Sequence, residues 1–455
     1  MVGKRVTSAY KNDGFDNTDT MDWNHATLKH WLSKVLTDHE AYGAAAGRPA
    51  TFEPDKDHRN ASRLRKINRL SSEVITGQLT VAGHRRTAVW LMVKLKPPLA
   101  QMRTLLKVDR QFHNEIHAYQ NVIPLLLENL PEGARPPALP RFVYGQNECG
   151  SHWSEDVIVL EDPRSWGYKP AVRTSPELNA NFMDYDHLAV AISALGRFHG
   201  LSFTVKQKNP KAFRKLVGNL REIQWDEDGW LIKNNGLKSL GMRGARPLME
   251  EEQYQGGKLK GFLTMIREAD RNLKLAMTPN EPFAVICHGD FCKNNLLFAY
   301  DEQSGKPQDA IITEFTAIRY GSPGLDLSYF LYKCADQDVQ NDRWEELLTV
   351  YLESVSVVLP VDVKAPTMDQ LHHELKFHAL YGYAHLLFAV PNMINEYPLD
   401  RTLLEDDKAT FEDQLVARLD SSDDKITQIL SATVRHIIDH GYAPLNIRST
   451  VSQQL

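Results

Sequence analysis

The sequence predicts an α+β protein with two lobes: a small lobe with an antiparallel sheet and one key helix, and a larger, mostly helical lobe. Strand-like segments lie between residues 66 and 160, whereas helical periodicity dominates after residue 188. A chain of 455 residues is also longer than one ordinary core accommodates. We therefore expect a flexible tail at 1–22, the small lobe with an N-terminal helix at 23–160, and the helical lobe at 161–455.

Composition and charge exclude several classes of protein. With 42% hydrophobic and 24% charged residues, the chain resembles neither a disordered nor a membrane protein. The net charge of -5 gives no reason to expect a nucleic-acid partner. The spacing of the four cysteines indicates neither a disulfide framework nor a zinc site. Since no signal peptide and no apolar run of about 20 residues is evident, we expect a cytoplasmic protein without a membrane span.

The small lobe is predicted from alternating apolar patterns that are bounded by turn residues. An amphipathic helix around 24–36 and a loop at 41–60, rich in alanine and glycine, precede them. Strands are predicted at 66–70, 73–81, 87–95, 141–144 and 156–160.

A lysine and a glutamate in this lobe suggest chemistry. Lys94 lies within an otherwise apolar strand, where a charge requires a partner or a ligand. The helical face that follows, from Leu105 to Tyr119, places Glu115 beside it. A strand lysine and a helix glutamate are most often a simple ion pair, but together they can also hold the α- and β-phosphates of ATP.

The helical lobe is predicted from apolar residues at helical spacing. The first of its helices should end at Gly200, since glycine is common just after a helix C-terminus. Helices are predicted at 188–199, 327–334, 343–357, 371–390, 411–419 and 425–439.

The most informative stretch is Val285-Ile-Cys-His-Gly-Asp290-Phe-Cys-Lys-Asn-Asn295-Leu-Leu-Phe298. Its pattern predicts two short apolar strands that flank a tight polar loop. Enzymes that transfer a phosphoryl group from ATP need a carboxylate beside the acceptor hydroxyl and an oxygen ligand for magnesium close by. Asp290 suits the first role and Asn295 the second.

This loop is followed by Arg319-Tyr-Gly-Ser-Pro-Gly-Leu-Asp-Leu-Ser-Tyr-Phe-Leu-Tyr332. With both motifs, the sequence resembles the ecdysteroid kinase-like (CHK kinase-like) family of the aminoglycoside phosphotransferase and choline kinase superfamily, which includes insect juvenile-hormone-inducible members. The resemblance implies a bilobal protein-kinase-like fold that uses ATP and Mg2+. It also implies transfer of the γ-phosphoryl group to a hydroxyl of a small, lipophilic acceptor that is steroid-like or xenobiotic-like.

The resemblance implies roles for individual residues as well. Asp290 would accept the proton of the acceptor hydroxyl, His288 would brace the loop, and Asp326 would bond backbone near it. Magnesium would be held by Asn295 and Glu314. The nucleotide would be held by Lys94, Glu115, Ser71, Ser72 and the backbone at Leu160, Glu161 and Asp162.

Two departures from the family pattern leave other functions open. Glu314 stands where the family has a magnesium-binding aspartate, and its extra methylene matters because magnesium demands near-ideal geometry. The phosphate loop around Ser71 and Ser72 also lacks a glycine before Gly77. One alternative is therefore a pseudokinase that binds a nucleotide or ligand with weak or no catalysis. Another is a choline- or ethanolamine-type kinase, although the sequence reveals no aromatic and acidic cage for an ammonium group.

Overall fold

The computed structural model describes residues 50–55, 72–81, 88–148, 155–172, 182–225, 236–394 and 423–444. The expected N-terminal tail and helix, the strand at 66–70, Ser71 and the helix at 411–419 lie outside the described residues. Within the described ranges, a five-stranded antiparallel sheet precedes a mostly helical remainder. The predicted fold class is therefore confirmed.

The sheet has the strand order β1-β2-β3-β5-β4, and every neighbouring pair is antiparallel. Buried aliphatic side chains of β3 and β5, including Leu91, Val93 and Val159, form a cluster on one face of the sheet. The predicted strands that correspond to β2, β3, β4 and β5 agree with the structure to within two residues at each end. The strands are β1 Ala50–Pro54, β2 Glu73–Val81, β3 Ala88–Leu95, β4 Phe142–Gln146 and β5 Val157–Glu161.

Strand β1 lies in the segment 41–60, for which the sequence predicted a loop, so that prediction is wrong for Ala50–Pro54. It is an edge strand paired along its whole length with β2. A Cβ atom on Gly77 of β2 would lie 2.5 Å from the Glu53 carbonyl oxygen and 2.6 Å from the Phe52 ring. The close approach of β1 therefore depends on a glycine of its partner strand, which the composition of β1 itself does not reveal.

Three helices connect β3 to β4, and the second of them carries Glu115. Its buried apolar residues Val108 and Phe112 pack into the core, so that this face and Glu115 are directed inward. A π-helical turn at Ala118–Val122 joins it to the next helix. The helices are α1 Ala100–Leu105, α2 Val108–His117 and α3 Ile123–Glu128.

Most of the described residues after β5 are helical and share one large apolar core with α2 and α3. The helix predicted at 327–334 begins four residues earlier, because Ser322 caps it through the Gly324 N–H and Pro323 suits its first turn. The helices are α4 Tyr185–Lys208, α5 Pro210–Val217, α6 Gly236–Ala245, α7 Lys258–Arg267, α8 Ala269–Ala276, α9 Pro323–Cys334, α10 Gln337–Asp342, α11 Trp344–Ser356, α12 Met368–Ile394 and α13 Asp424–Asp439.

Helix α4 runs straight through Gly200, where the sequence predicted its end, and that prediction is wrong. A Cβ atom on Gly200 would lie 2.5 Å from Val358 Cγ2 and 2.9 Å from the Val355 carbonyl oxygen. The glycine allows α4 to pack closely against the end of α11 rather than terminating a helix. Among the described helices, α4 alone is long and apolar enough to cross a membrane, but 78% of its most apolar window is buried inside the protein.

Two short antiparallel strand pairs lie between α8 and α9. The strands predicted on both sides of the polar loop are present as β6 Val285–Cys287 and β7 Leu296–Tyr300. They do not pair with each other: β6 pairs with β9 Arg319–Gly321, and β7 pairs with β8 Pro307–Ile312. The polar loop therefore connects two separate ladders, and its ends are held from two directions.

Candidate active site

The polar loop turns sharply directly after β6. Gly289 has φ +82°, a left-handed conformation that glycine adopts without strain. A Cβ atom at this position would lie 2.0 Å from the Ala317 carbonyl oxygen. Both the turn and the close approach of the neighbouring segment thus require glycine immediately before Asp290.

Asp326 of α9 binds the backbone of the loop through both of its carboxylate oxygens. They accept hydrogen bonds from the backbone N–H of His288 at 2.6 Å and of Gly289 at 2.9 Å. His199 of α4 donates a third bond at 3.1 Å. Burial by itself would raise the pKa of Asp326, but the interactions with His199, His288 and the Gly289 backbone lower it below its ordinary value. The carboxylate therefore remains ionised in a fully buried place.

His288 connects the loop to the segment after β8. Its Nε2 donates to the Thr313 carbonyl oxygen at 2.7 Å, and its Nδ1 accepts from the Asp290 backbone N–H at 3.2 Å. The ring is fully buried. With one nitrogen donating and the other accepting, His288 acts as a rigid spacer and has no free nitrogen for proton transfer.

Asp290 and Asn295 contact each other across the loop. The Asn295 amide nitrogen donates to Asp290 Oδ2 at 2.9 Å and to its carbonyl oxygen at 2.8 Å. This leaves the Asn295 side-chain oxygen as the atom that can ligate a metal ion. The backbone carbonyl of Asn295 accepts from the Thr313 N–H at 3.0 Å, so that Asn295 lies next to the segment that carries Glu314.

Lys94 is held between two carboxylates. Its Nζ lies 2.6 Å from Glu115 Oε1 and 3.0 Å from Glu314 Oε1. The side chains of Lys94 and Glu115 are 1% and 0% exposed, whereas that of Glu314 is 17% exposed. The strand lysine, the helix glutamate and the residue after β8 thus come together, although they are far apart in the sequence.

Glu314 is one of two described non-glycine residues with positive φ, at +68°. A left-handed conformation is strained for such a residue and occurs where surrounding contacts enforce it, often at functional sites. The contacts here are the bond from His288 to Thr313 on one side and the burial of Phe315 on the other. Phe315 packs against Tyr119 and His288.

The donor atoms at this place suit a hard divalent cation. Asn295 offers an amide oxygen and Glu314 a carboxylate, and magnesium prefers oxygen ligands of these types. A second group of possible metal ligands, His199, Cys287 and Asp326, lies within 4.8 Å in the core. Asp326 is already bonded to two backbone N–H groups, and burial raises the pKa of the Cys287 thiol well above its ordinary value, so this group braces the loop.

The residues expected to hold the nucleotide base and phosphates lie along the sheet. Ser72 is buried just before β2. At the end of β5, the Glu161 N–H donates to Arg141 and the Asp162 N–H donates to Trp90. Binding of adenine to the backbone here would require these groups to exchange partners.

Two residues beside Asp290 were not predicted from the sequence: Tyr329 and Lys333 of α9. The Tyr329 hydroxyl donates to Asp290 Oδ1 at 2.7 Å, and the Lys333 ammonium donates to the Tyr329 hydroxyl. Burial and the nearby Asp290 raise the pKa of Tyr329 well above its ordinary value, so that the phenol keeps its proton. Their i, i+4 spacing on a helix that starts beside the loop was the available signal.

The family model for ecdysteroid kinase-like proteins matches residues 66–360, which is more than half of the chain. The chain belongs to this family. The matched range includes every residue of the candidate site described above, from Lys94 in β3 to Lys333 in α9. Comparison with curated protein sequences gives no match.

The solved structures that match this chain include three small-molecule kinases or kinase-family proteins. One is a microcompartment-associated aminopropanol kinase, with 10% identity, coverage of 92% of this chain and 100% of that chain, and a TM-score of 0.43. A choline/ethanolamine kinase family protein from Mesorhizobium loti has 14% identity, 90% and 99% coverage, and a TM-score of 0.38. An amicoumacin kinase in complex with AMP-PNP and Ca2+ has 13% identity, 89% and 97% coverage, and a TM-score of 0.38.

Proposed function

We propose that this ecdysteroid kinase-like protein transfers the γ-phosphoryl group of ATP to a hydroxyl group of a small molecule. The observation that carries the proposal is the position of Lys94, which contacts both Glu115 and Glu314. That contact joins a phosphate-binding pair to the segment that adjoins Asn295, and Asn295 contacts Asp290. Phosphoryl transfer needs little more from a protein than positioning and electrostatic stabilisation.

In this reaction, the acceptor oxygen forms a bond to the γ-phosphorus while the bond to the β-phosphate oxygen breaks. Asp290 supplies the carboxylate of the loop, which orients the acceptor hydroxyl and takes up its proton as the general base. Lys94, held by Glu115, binds the phosphate oxygens of ATP. Asn295 and Glu314 would hold a magnesium ion, which neutralises phosphate charge when it is bound. We further propose an uncharged, lipophilic acceptor such as a steroid-like alcohol, and a cytoplasmic location.

A different function, nucleotide or ligand binding with little or no catalysis, is favoured by the same contact of Lys94 with Glu314. With Oε1 beside the ammonium, the glutamate would share its charge between Lys94 and a metal ion, and its extra methylene changes the geometry that it offers to that ion. A pseudokinase would keep this ion pair and bind nucleotide weakly or without metal.

A thermal-shift titration with Mg-ATP, repeated with Glu314→Asp, separates the two functions. The proposed kinase should be stabilised by Mg-ATP more than by ATP with EDTA. A pseudokinase should show no metal dependence, and stronger binding or turnover in Glu314→Asp would show that the longer side chain is a handicap. No nucleotide response in either protein would refute the kinase proposal.

Asp290→Asn tests the catalytic assignment. Removing the base should lower turnover by about 10²–10⁴-fold. The affinity for ATP should stay nearly unchanged, because Asp290 acts on the acceptor. Single-turnover phosphate transfer from radiolabelled ATP measures the turnover, and the thermal shift with Mg-ATP measures the affinity for ATP. Unchanged turnover would show that another group is the base.

A further inference from the structure

The two carboxylate oxygens of Asp290 face different neighbours, and this inference rests on the function proposed above. Oδ2 accepts from Asn295, on the side of the candidate metal site. Oδ1 accepts from Tyr329 at 2.7 Å. A catalytic base must lie within hydrogen-bond reach of the hydroxyl that it deprotonates. An acceptor that avoids the metal ligand therefore approaches Oδ1, beside the Tyr329 hydroxyl.

Lys333 is the cation that lies next to this side of Asp290, separated from it by the Tyr329 hydroxyl. Its ammonium donates to the Tyr329 hydroxyl and also lies 4.6 Å from the centre of the Tyr329 ring. Burial by itself would lower the pKa of Lys333, but Cys292 and Asp290 raise it above its ordinary value. The ring whose hydroxyl bonds the Asp290 carboxylate therefore already has a cation of the chain beside it.

The rings beyond Tyr329 form a continuous group, here called the aromatic cluster: Tyr329, His385, Tyr381 and Trp225. His385 lies 4.5 Å from both tyrosine rings and 5.2 Å from Trp225, measured between ring centres. Burial, together with Lys333 and Arg319, lowers the pKa of His385 to about 3, so that the imidazole is neutral. The His385 Nε2 is buried and has no hydrogen-bond partner within the described residues.

Two cations of the chain, Arg319 and Lys333, lie beside rings of the aromatic cluster. Arg319 lies 5.9 Å from the Tyr381 ring centre and forms an ion pair with Glu222. Asp290 faces Lys333 through Tyr329. Recognition of an ammonium ligand uses aromatic faces and carboxylates that are available to it. In this cluster, cations of the chain already lie against the two tyrosine rings.

From this arrangement we infer that Lys333 is a specificity-determining residue that excludes acceptors with an ammonium group next to the reactive hydroxyl. An amino alcohol that presents its hydroxyl to Asp290 Oδ1 carries its nitrogen two carbon atoms away, on the side of the carboxylate where Tyr329 and Lys333 lie. Like charges that come close together in a partly buried site repel each other. The enzyme therefore selects alcohols that are uncharged or anionic near the hydroxyl group.

Matched pairs of alcohols test the inference, because they differ only in the charge. Choline is compared with its carbon isostere 3,3-dimethyl-1-butanol, and N-benzylethanolamine is compared with 4-phenyl-1-butanol. Phosphate transfer from ATP gives kcat/KM for each alcohol, and quenching of tryptophan fluorescence gives its affinity. The proteins compared are the wild type, Lys333→Met, Lys333→Arg and the control Lys306→Met, which removes an exposed cation paired with Asp186.

The wild type should prefer the uncharged alcohol of each pair by about tenfold or more, which corresponds to about 1.4 kcal/mol. Lys333→Met should abolish the preference, whereas Lys333→Arg and Lys306→Met should keep it. An equal response of the wild type to both members, in turnover and in binding, would overturn the inference, as would an unchanged preference in Lys333→Met. Failure of the proposed function appears separately, as a missing Mg-ATP thermal shift in the wild type, since the affinities are measured without turnover.

Discussion

Two lysines at the end of β3, Lys94 within the strand and Lys96 directly after it, show how similar side chains acquire different roles. They lie two residues apart, so their side chains point to the same face of the sheet, and each is 1% exposed. Lys94 contacts Glu115 and Glu314. Lys96 donates to Asp156 and Asn147, each at 2.7 Å, and to Asp109 at the start of α2. Both satisfy the requirement that a buried charge has partners.

The difference lies in the origin and exposure of those partners. Asp109, Asn147 and Asp156 all lie in the part of the chain that builds the sheet and α2, and the Asp156 side chain is 0% exposed. Glu314 instead follows β8, beside the polar loop, and is partly exposed. A lysine with an accessible partner from another part of the fold can exchange it for a ligand. The network of Lys96 stays closed and holds the start of α2 against the sheet, which positions Glu115.

The largest effect on stability is expected for Lys96→Met. Removing one partner of a buried ion pair leaves an uncompensated charge, which costs about 3–5 kcal/mol. We expect a lower free energy of unfolding in urea but a retained thermal shift with Mg-ATP in the remaining folded protein. Loss of the nucleotide response at full stability would show that Lys96 belongs to the site.

Lys94→Met should give the opposite response to nucleotide. Mg-ATP at about 100 times its Kd stabilises a binding protein by about 2.7 kcal/mol, and this contribution should disappear because the phosphates lose their cation. Thermal shift with and without Mg-ATP measures it. Because Glu115 is left buried, the variant is also less stable without ligand, so only the nucleotide-dependent difference is compared with Lys96→Met. An unchanged difference would exclude Lys94 from the site.

The smallest effect is expected for Asp109→Asn. Its side chain is 47% exposed, and Lys96 keeps Asp156 and Asn147, so that the loss should be about 1 kcal/mol or less. The nucleotide response should remain. The free energies of unfolding in urea of Asp109→Asn and Lys96→Met are compared. A much smaller loss in Asp109→Asn would show that the buried acid Asp156 provides most of the stabilisation of Lys96, as the exposed fractions of the two acids indicate. A loss as large as that of Lys96→Met would mean that the exposed acid dominates.

Particular elements show how far local pattern predicted the fold. The strands around the polar loop and the strand at 73–81 were predicted correctly, because apolar alternation and turn residues are local signals. Strand β1 and the continuation of α4 were not, because Gly77 and Gly200 act through space on other segments. A glycine that allows close packing is indistinguishable in sequence from one that ends an element.

For the candidate site, residue types and their spacing indicated which acids, amides and cations are available: Asp290 and Asn295 on one loop, Lys94 on a strand, and Glu314 in place of an aspartate. The packing of the elements established that Lys94 contacts Glu314, that Lys96 contacts other partners, and that Tyr329 bonds both Asp290 and Lys333. Residue type and periodicity report local conformation and burial. The distance between charges on different elements depends on how those elements pack.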